Sequence, residues 1–549
     1  MSARRTYNIL AIAFLLGGPW LTQPAQTQQN RPWTNDAVRF RAKAVTGSGE
    51  APQSDLSSAC RGRLTGVIGR SSSSAVQGGI VARQLQVAHE GLSVAFQAGQ
   101  HADKGQLLGG TELTRLVSYD GKLYAGTGYW EDSSGSDPSP GPAILVLDSP
   151  RAHWRLEHVF SERRPDGRER FLAVSVVKVI TFTTDDRGRV IPPVPIFVAG
   201  LQAAAGGVGA IFSRDNSRGE WIESLSRGKG IRAVGFYKDP VTGVDRIFAG
   251  VTGYSKGDQS GAIISGVYDP SVPGRIRWDQ KPEFTDFRNR VMGFVECNRG
   301  LYFAAKPSLF QRALNGNSPK WKEVCSYSPE LARTNSGLRG LTAISDPHAP
   351  GHDLILAALE GDHKNHARIV AIDPLHHHSM RSELDIVNFL IAQWGRLIHP
   401  SVIAAYNDMP LVESPLTKES VRLIGLQAHC PLPGKQRSAW YLVRDSGAHY
   451  SLHEVPPISF SPESRESPHT YLSLMRSSGR QSVETGPALI AVRAIIVSPF
   501  AEDGGQALYL GGYDADLYPA HNTAWLYRVG LNTALSRTGD KRSRGFSVR

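Results

Sequence analysis

Six arginines recur in a series of similar segments, each at the start of an apolar stretch that alternates like a β-strand. If equivalent positions of a repeat fold face one channel, these guanidinium groups converge. Several converging guanidinium groups can bind carboxylate, sulfate or phosphate through paired hydrogen bonds. The alternative is that each arginine joins its repeat to a neighbour through a carboxylate or a carbonyl. The six are Arg115, Arg170, Arg232, Arg290, Arg339 and Arg493.

Polar and aromatic residues follow the second strand of many of these segments. Aromatic rings beside arginines and carboxylates suit a saccharide or an aromatic acid, because sugar faces stack on rings while hydroxyls and charges are hydrogen-bonded. Ordinary solvated loops are the alternative. The candidate ligand-binding residues are Tyr129, Trp130, Glu131, Tyr254, Lys306, Glu360, Tyr513 and Asp514.

Histidines in comparable loops suggest a second chemistry. His363, His366, His429 and His521 could converge from different repeats and bind a divalent metal such as zinc or iron. Spacing alone does not establish that convergence. The run His376–His378 follows a proline on an expected outer turn, where we expect exposure and chance metal capture rather than a built site.

The segments that carry these residues also predict the fold. In RLVSYDGKLYAGTG (115–128), the pair Asp120-Gly121 predicts a tight turn between two strands. Many copies continue with a third strand and a fourth that contains tryptophan, and the copies recur at roughly 60-residue intervals. This pattern predicts an all-β protein, a β-propeller of seven four-stranded blades, with six or eight blades as alternatives. A repeated eight-stranded sandwich is the competing architecture.

The last repeat contains only three strands, at 491–498, 506–513 and 523–529. A closed ring must not leave an open edge, so we expect an N-terminal strand, either 79–87 or 92–98, to complete it. One helix is predicted over 382–395, with Ser382 as its N-cap and Asp385 at the capping-box position. Its apolar face would contain Leu384, Val387, Ile391 and Trp394.

Three features carry a family resemblance: the arginine-led first strand, the LYAGTG-like second strand, and the outer strand that begins with tryptophan. Together they resemble secreted bacterial β-propellers of the kelch-like and related groups, over roughly residues 110–530. The resemblance implies the architecture and transfers no catalytic residue.

The N-terminus has the pattern of an export signal: Arg4 and Arg5 precede the apolar stretch 9–18. We therefore expect a signal peptide at 1–27 and a mature chain with no transmembrane span, in the periplasm or secreted. The remaining expected divisions are a flexible linker at 28–58, one propeller domain at 59–530 with an insertion at 457–486, and a basic tail at 531–549.

Four cysteines, Cys60, Cys297, Cys325 and Cys430, would meet an oxidising compartment after export. An even number permits two disulfides, and Cys297 with Cys325 is the most local pair. Buried free thiols are the alternative. None of the four lies in a C-x-x-C motif, so zinc-finger and thioredoxin-type chemistry have no support.

Composition and net charge limit the class of protein and the kinds of binding partner. The chain of 549 residues is 40% hydrophobic and 20% charged, with 56 Gly and 34 Pro, which excludes a mainly disordered chain, a coiled coil and a collagen. The net charge of +11 favours an anionic small molecule or an acidic polysaccharide, and export disfavours nucleic acid as a partner. Binding of such a ligand at the central face is the leading hypothesis. A propeller enzyme (hydrolase, lyase or metal-dependent oxygenase) and a protein-interaction scaffold are the alternatives.

Overall fold

Antiparallel β-strands dominate the computed structural model, which describes residues 86–87, 92–129, 141–455, 489–514 and 523–535 with short gaps inside these ranges. All described elements lie in one compact unit within Pro52–Arg549. Four short strands come first: β1 (Gln86–Val87), β2 (Leu92–Gln97), β3 (Gln100–His101) and β4 (Leu107–Leu108).

The strands that follow pair in succession into seven antiparallel groups. The first group is β5 (Glu112–Tyr119), β6 (Lys122–Gly128), β7 (Ala143–Leu147) and β8 (Arg155–Val159). The second is β9 (Phe171–Thr184), β10 (Val190–Ala203), β11 (Ala210–Asp215) and β12 (Glu220–Ser226). The third is β13 (Gly230–Lys238), β14 (Asp245–Thr252), β15 (Gly261–Tyr268), β16 (Ile276–Trp278) and β17 (Phe284–Asp286).

The fourth group is β18 (Val291–Cys297), β19 (Gly300–Ala305), β20 (Ser308–Asn315) and β21 (Ser318–Ser326). The fifth is β22 (Leu338–Ser345), β23 (Asp353–Leu359), β24 (Arg368–Asp373) and β25 (Ser379–Asp385). The sixth is β26 (Ile403–Ala404), β27 (Leu411–Glu413), β28 (Ser420–His429), β29 (Ala439–Arg444) and β30 (Tyr450–Val455). The seventh contains β31 (Leu489–Val497), β32 (Ala507–Asp514) and β33 (Trp525–Gly530).

The predicted turn at Asp120-Gly121 is confirmed. Tyr119 pairs with Lys122, and the two residues between them have φ of 51° and 67°. A type I′ hairpin needs left-handed backbone at both central positions, which Asp and Gly adopt more readily than most residues. The pairing of β5 with β6 places Arg115 opposite Gly126. We call the first long strand of each group its inner strand.

An N-terminal strand supplies the fourth strand of the seventh group. β2 pairs antiparallel with β33, from Leu92 with Val529 to Gln97 with Trp525. Of the two predicted candidates, 92–98 therefore takes this position. The other candidate, 79–87, is described only at Gln86–Val87, where β1 runs parallel to β30 and extends the sixth group instead.

Apolar clusters lie between successive groups. In the described part of the chain, seven large clusters each combine side chains of two adjacent groups, because neither face of a single group is covered by its own strands. One of these joins the last group to the first through residues such as Phe96, Leu113 and Leu526. A backbone bridge between Tyr513 and Glu112 joins the same two groups.

The small residues that end each second strand have a packing role. A Cβ atom added at Gly200 would lie 2.4 Å from Val176 Cγ1 and 3.0 Å from Ile231 Cγ2. At Gly250 it would lie 2.8 Å from Val291 Cγ1. Ile231 and Val291 belong to the first strand of the following group, so glycine permits adjacent groups to approach closely at their inner strands.

A β-bulge recurs near the start of the first strand in six of the seven groups. In β13 the extra residue lies between Ile231 and Ala233, and in β31 it lies between Val492 and Ala494. Arg232 and Arg493 occupy these bulges. Because a bulge redirects a side chain and locally bends its strand, these bulges position Arg232 and Arg493. The corresponding extra residues of β5 and β18 are Thr114 and Met292.

The predicted helix is shorter than expected. Helix α1 is Ile386–Trp394, and its N-cap is Asp385, whose carboxylate accepts a hydrogen bond of 2.9 Å from the backbone N–H of Asn388. Ser382, predicted as the N-cap, lies in β25 because that strand continues to pair with β24 up to Asp385. Ile391, predicted to face the core, is 39% exposed. A second helix, α2 (Leu531–Leu535), follows β33.

Cys297, Cys325 and Cys430 are buried and are not joined by a disulfide, so the predicted disulfide between Cys297 and Cys325 is wrong. These two residues lie on the first and fourth strands of one sheet, which three interstrand spacings separate by roughly 14 Å. Burial raises the pKa of Cys297 to about 12 and that of Cys430 to about 11. Cys60 lies outside the described residues.

No helix in the described ranges is both long enough and apolar enough to cross a bilayer. The predicted signal peptide, linker and insertion at 457–486 lie outside the described residues. The predicted basic tail is described only at 531–535, in α2.

Candidate functional site

The inner strands bring arginines of several groups together. The charges of Arg290, Arg339 and Arg493 all act on Arg232, and that of Arg339 also acts on Arg290. Two carboxylates and two tyrosines lie among these four guanidinium groups. We call this set the central cluster: Arg232, Arg290, Arg339, Arg493, Glu112, Glu360, Tyr406 and Tyr513.

Two of the four guanidinium groups form buried ion pairs. Arg339 Nε contacts Glu360, and Arg493 Nη1 contacts Glu112. Glu112 is 1% exposed and Glu360 is 3% exposed. Because only these two carboxylates among the described residues face the four guanidinium groups, the central cluster as described carries an excess of positive charge.

Arg290 is the least compensated member. It is 6% exposed, and among the described residues its guanidinium has neither a hydrogen-bond partner nor an ion-pair partner. Burial and the charge of Arg339 lower its pKa to about 10, against the opposing effect of Glu360. Burial and the charge of Arg290 also lower the pKa of the neighbouring Lys306. A buried charge without a partner is costly, so this arrangement suits the binding of an anion.

Tyr406 forms the aromatic platform of the cluster. Its ring lies 4.9 Å from the guanidinium carbon of Arg339 and 4.7 Å from that of Arg493. Its hydroxyl lies 3.3 Å from that of Tyr513, which in turn donates a 2.8 Å hydrogen bond to Gln427. Arginine positions held over a ring in this way lose less freedom when a ligand binds.

Glu112 is the group in the cluster whose protonation changes near neutral pH. Burial raises its pKa to about 7, against the opposing charges of Arg493 and Arg232. Its Oε1 atom is buried and makes no hydrogen bond among the described residues. Burial, followed by the charges of Arg290, Arg339 and Arg493, also holds the pKa of Arg232 well below its ordinary value. The cluster therefore combines a proton-exchanging carboxyl group with weakly compensated cations.

A segment of the sixth group crosses the inner strands beside the cluster. Ala405 has a φ of 48°, and the chain then places Tyr406 in the cluster and Asp408 3.7 Å from Arg115. The amide of Asn407 donates hydrogen bonds of 2.8 Å to the carbonyls of Thr114 and Arg493. Arg115 thus lies beside this segment. Burial lowers the pKa of Arg115, and the charge of Asp408 opposes that effect.

Arg170 does not belong to the central cluster. Its guanidinium makes hydrogen bonds of 2.8 and 2.9 Å to Glu223 and one of 2.6 Å to Glu162. The prediction of a shared central position does not hold for Arg170, because Glu223 and Glu162 occupy its guanidinium. The bulge position of β9 is Ser175, whose Oγ donates a 3.1 Å hydrogen bond to the carbonyl of Gly200.

The predicted loop residues separate into three classes. Glu360 and Tyr513 belong to the central cluster, and Lys306 lies beside it. Tyr129 is buried, with its backbone N–H bonded to Leu172, and Tyr254 packs against the apolar cluster between the second and third groups. The rest lie outside the described residues (Trp130, Glu131) or have an undescribed side chain (Asp514).

The described members of the predicted histidine set do not form a metal centre. His366 Nδ1 lies 2.9 Å from Asp385 Oδ2, beside the start of α1. His429 is half-buried at the end of β28. No set of three close ligand atoms in the described ranges includes either residue. His363 and His521 lie outside those ranges.

Sequence reasoning missed Glu112, Tyr406 and Gln427. Glu112 lies three residues before Arg115 in the clearest repeat. An acidic residue so near an inner-strand arginine could have indicated a carboxylate beside the arginines. Tyr406 lies in the irregular copy, where no repeat position could be assigned to it. Gln427 is one of several polar residues in a mostly apolar strand, and its contact with Tyr513 depends on tertiary structure.

No family model matches the sequence, and no curated protein matches it. Solved structures similar to the chain include a GH43 β-1,3-galactosidase with galactodeoxynojirimycin, at 10% identity and a TM-score of 0.28, covering 52% of this chain and 98% of that one. Others are a GH74 enzyme from Niastella koreensis (10% identity, TM-score 0.38, 78% of this chain, 55% of that one) and a putative exo-β-1,3-galactanase from Bifidobacterium bifidum (12% identity, TM-score 0.26, 52% and 95%). Similarity at these TM-scores does not establish a shared fold or a shared activity.

Proposed function

We propose that the chain is an exported β-propeller whose seven strand groups are blades, closed into a ring by β2. The succession of antiparallel groups, the apolar clusters between them, and the contacts of the last group with the first support this arrangement. In such a ring the first strand of every blade faces the central channel. The arginines lie at the start of these first strands.

In this proposal the central cluster binds an anionic ligand, specifically an acidic saccharide. The observation that carries it is Arg290, a buried guanidinium without a partner among the described residues, near Arg232 and Arg339. A carboxylate placed there would receive charge-assisted hydrogen bonds and relieve repulsion among the arginines. The ring of Tyr406 adds an apolar face on which a sugar can stack.

Calorimetric titration with oligogalacturonate tests the proposal, with the neutral methyl ester as the matched control ligand. The acidic oligomer should bind more tightly than the ester, and its affinity should fall as salt is added. The variant R290A should bind it about 10- to 100-fold more weakly, the loss expected for one charge-assisted hydrogen bond.

The control variant is R189A, which removes a 69% exposed arginine that pairs only with Asp185 among the described residues. It should bind oligogalacturonate as the wild type does. Equal affinity for the acid and its ester, or an R290A variant that binds like R189A, would remove the basis of the proposal.

Glu112 favours a second candidate function, an enzyme that cleaves an acidic saccharide by hydrolysis or elimination. A carboxyl group with a pKa of about 7 can donate or accept a proton at neutral pH, which is what general acid or base catalysis requires. Incubation with oligogalacturonate and analysis of the products would test it. If the wild type cleaves the oligomer and E112Q still binds it but no longer cleaves it, the enzyme is favoured. If the wild type leaves the oligomer intact, binding is the function.

A further inference from the structure

Three potential metal ligands meet on two hairpins of the fifth group. One hairpin joins β22 to β23 and ends at His352, and the other joins β24 to β25 and contains Asp373 and His376. Their ligand atoms all lie within 4.8 Å of one another. His352 Nε2 is 3.0 Å from one carboxylate oxygen of Asp373, and His376 Nδ1 is 2.6 Å from the other.

His376 Nδ1 and Asp373 Oδ2 are hydrogen-bonded, whereas His352 Nε2 and Asp373 Oδ1 are not. His352 is 8% exposed, and its Nε2 atom makes no hydrogen bond among the described residues, although Asp373 Oδ1 lies 3.0 Å away. The buried Nε2 atom of His352 is therefore available to bind a third atom. Ligand atoms about 2.0–2.2 Å from a tetrahedral zinc lie about 3.3 Å apart, close to the separation seen here.

The groups around these side chains hold them in place. The Asp373 carboxylate accepts hydrogen bonds from the backbone N–H groups of Leu375 at 3.0 Å and His376 at 3.1 Å, which fixes its orientation. On the other side of the His352 ring, Nδ1 faces Asp346 Oδ2 at 3.8 Å. A carboxylate facing the second nitrogen of a histidine is the arrangement that orients metal-ligating imidazoles.

We propose that His352, Asp373 and His376 bind one Zn²⁺ ion, with the remaining position open to water. Two imidazoles and a carboxylate are a ligand set that zinc accepts. The site lies at the opposite end of β22 and β23 from Arg339 and Glu360, so it is separate from the central cluster. Its ligands come from two hairpins, so the metal links those hairpins, and its role is structural.

Tag-free full-length protein, stripped with a chelator and dialysed, would be titrated with ZnCl₂ by calorimetry, and its bound zinc measured. The wild type should bind one Zn²⁺ per chain and unfold at a higher temperature with the metal. H376Q should weaken zinc affinity by at least about tenfold, the smallest loss known for a supporting residue. The H376Q variant should remain folded because the side chain of His376 is 74% exposed.

The matched control is H449Q. His449 lies 3.1 Å from Asp445 on the corresponding hairpin of the sixth group, where no second histidine approaches among the described residues. This variant should bind zinc like the wild type. H352N provides a second test at the buried ligand, with folding checked by circular dichroism. A wild type that binds no zinc at one per chain, or an H376Q variant that binds it as tightly as H449Q, overturns the proposal and leaves two ordinary His–Asp contacts.

Discussion

The position of an individual arginine could be predicted only where the sequence repeat aligned it with the same point of its strand. Arg232 and Arg493 occupy the same bulge in their strands, and the sequence pattern places both at that point. Arg170 shares the pattern but pairs with Glu223 and Glu162, whereas Arg290, which also precedes its strand, lies in the central cluster. A shift of a few residues along a strand moves a side chain to a different neighbour, and sequence spacing does not resolve such a shift.

Partners of the arginines were harder to predict because they come from distant segments. Glu112 pairs with Arg493, and Tyr406 lies over arginines of the fifth and seventh groups. The disulfide prediction failed for a related reason: proximity in sequence does not reveal that two strands lie between Cys297 and Cys325. The metal ligands show the same limit, because only the fold brings His352 to the hairpin of His376.

Glu112 should make stability depend on pH. Its pKa in the folded protein is about 7, above the ordinary 4.5, so between these values the folded state retains a proton that the unfolded state has lost. Its contribution to stability is therefore complete below about pH 4.5 and is lost as the pH rises through about 7. E112Q mimics the protonated form, so its denaturation midpoint should change less across this range.

The exposed Glu220 offers the matched control, and E220Q should follow the wild-type profile. The same linkage predicts that an anion of fixed charge binds more tightly below pH 7 than above it, because a neutral Glu112 does not repel it. A wild-type stability profile parallel to that of E112Q would show that Glu112 does not carry the proton assigned to it.

At the scale of elements, the sequence predicted the Asp-Gly hairpin and the N-terminal strand that pairs with the last group. It did not predict the residues at which α1 begins. The Asp-Gly turn fixes its own geometry through local backbone preferences, which no distant contact has to supply. The start of α1 is different: Ser382 and Asp385 are both good N-caps, and pairing of β25 with β24 decides between them. Tertiary structure, rather than propensity, sets that boundary.

Strand β2 should be required for stability. Its Phe96 is fully buried in the cluster between the last and first groups, and its backbone covers the edge of β33. A chain starting at residue 99 should lose far more than the about 3–5 kcal/mol typical of Phe→Ala in a core, and should associate through the exposed edge. Thermal unfolding and light scattering would measure both effects.

A chain starting at Leu85 keeps β1 and β2 and is the control for that truncation. It should unfold near the midpoint of the full chain and show the same mass in solution. If the shorter chain also behaves in this way, β2 does not complete the seventh group in solution.

At the scale of the whole molecule, Asn407 connects the first and last groups. Its amide donates to the carbonyls of Thr114 and Arg493, which belong to strands β5 and β31. N407D keeps the shape but replaces the donor by a carboxylate that faces two carbonyls, so it should destabilise the protein by about 2–5 kcal/mol. Chemical denaturation would measure this loss.

Asn388 is the matched control, because its side chain also donates a hydrogen bond, to Asp385, but at the exposed start of α1. N388A should cost less than about 1.5 kcal/mol. Equal losses for N407D and N388A would mean that the contact between the first and last groups contributes little to closure.

The central cluster contains more guanidinium groups than carboxylates. Four guanidinium groups face two carboxylates in the central cluster, although the chain as a whole balances 61 Lys and Arg against 50 Asp and Glu. Folding places like charges together at a cost, and ligand binding offsets that cost where the ligand is an anion. The central claim is therefore that Arg290 binds a carboxylate of the ligand.

A crystal structure of the protein with oligogalacturonate tests that claim most directly. The account predicts a ligand carboxylate within hydrogen-bonding distance of Arg290 and of at least one of Arg232, Arg339 and Arg493, with a sugar ring against Tyr406. The contradicting result is a guanidinium of Arg290 paired with a carboxylate of the protein itself, with the oligomer absent or bound elsewhere.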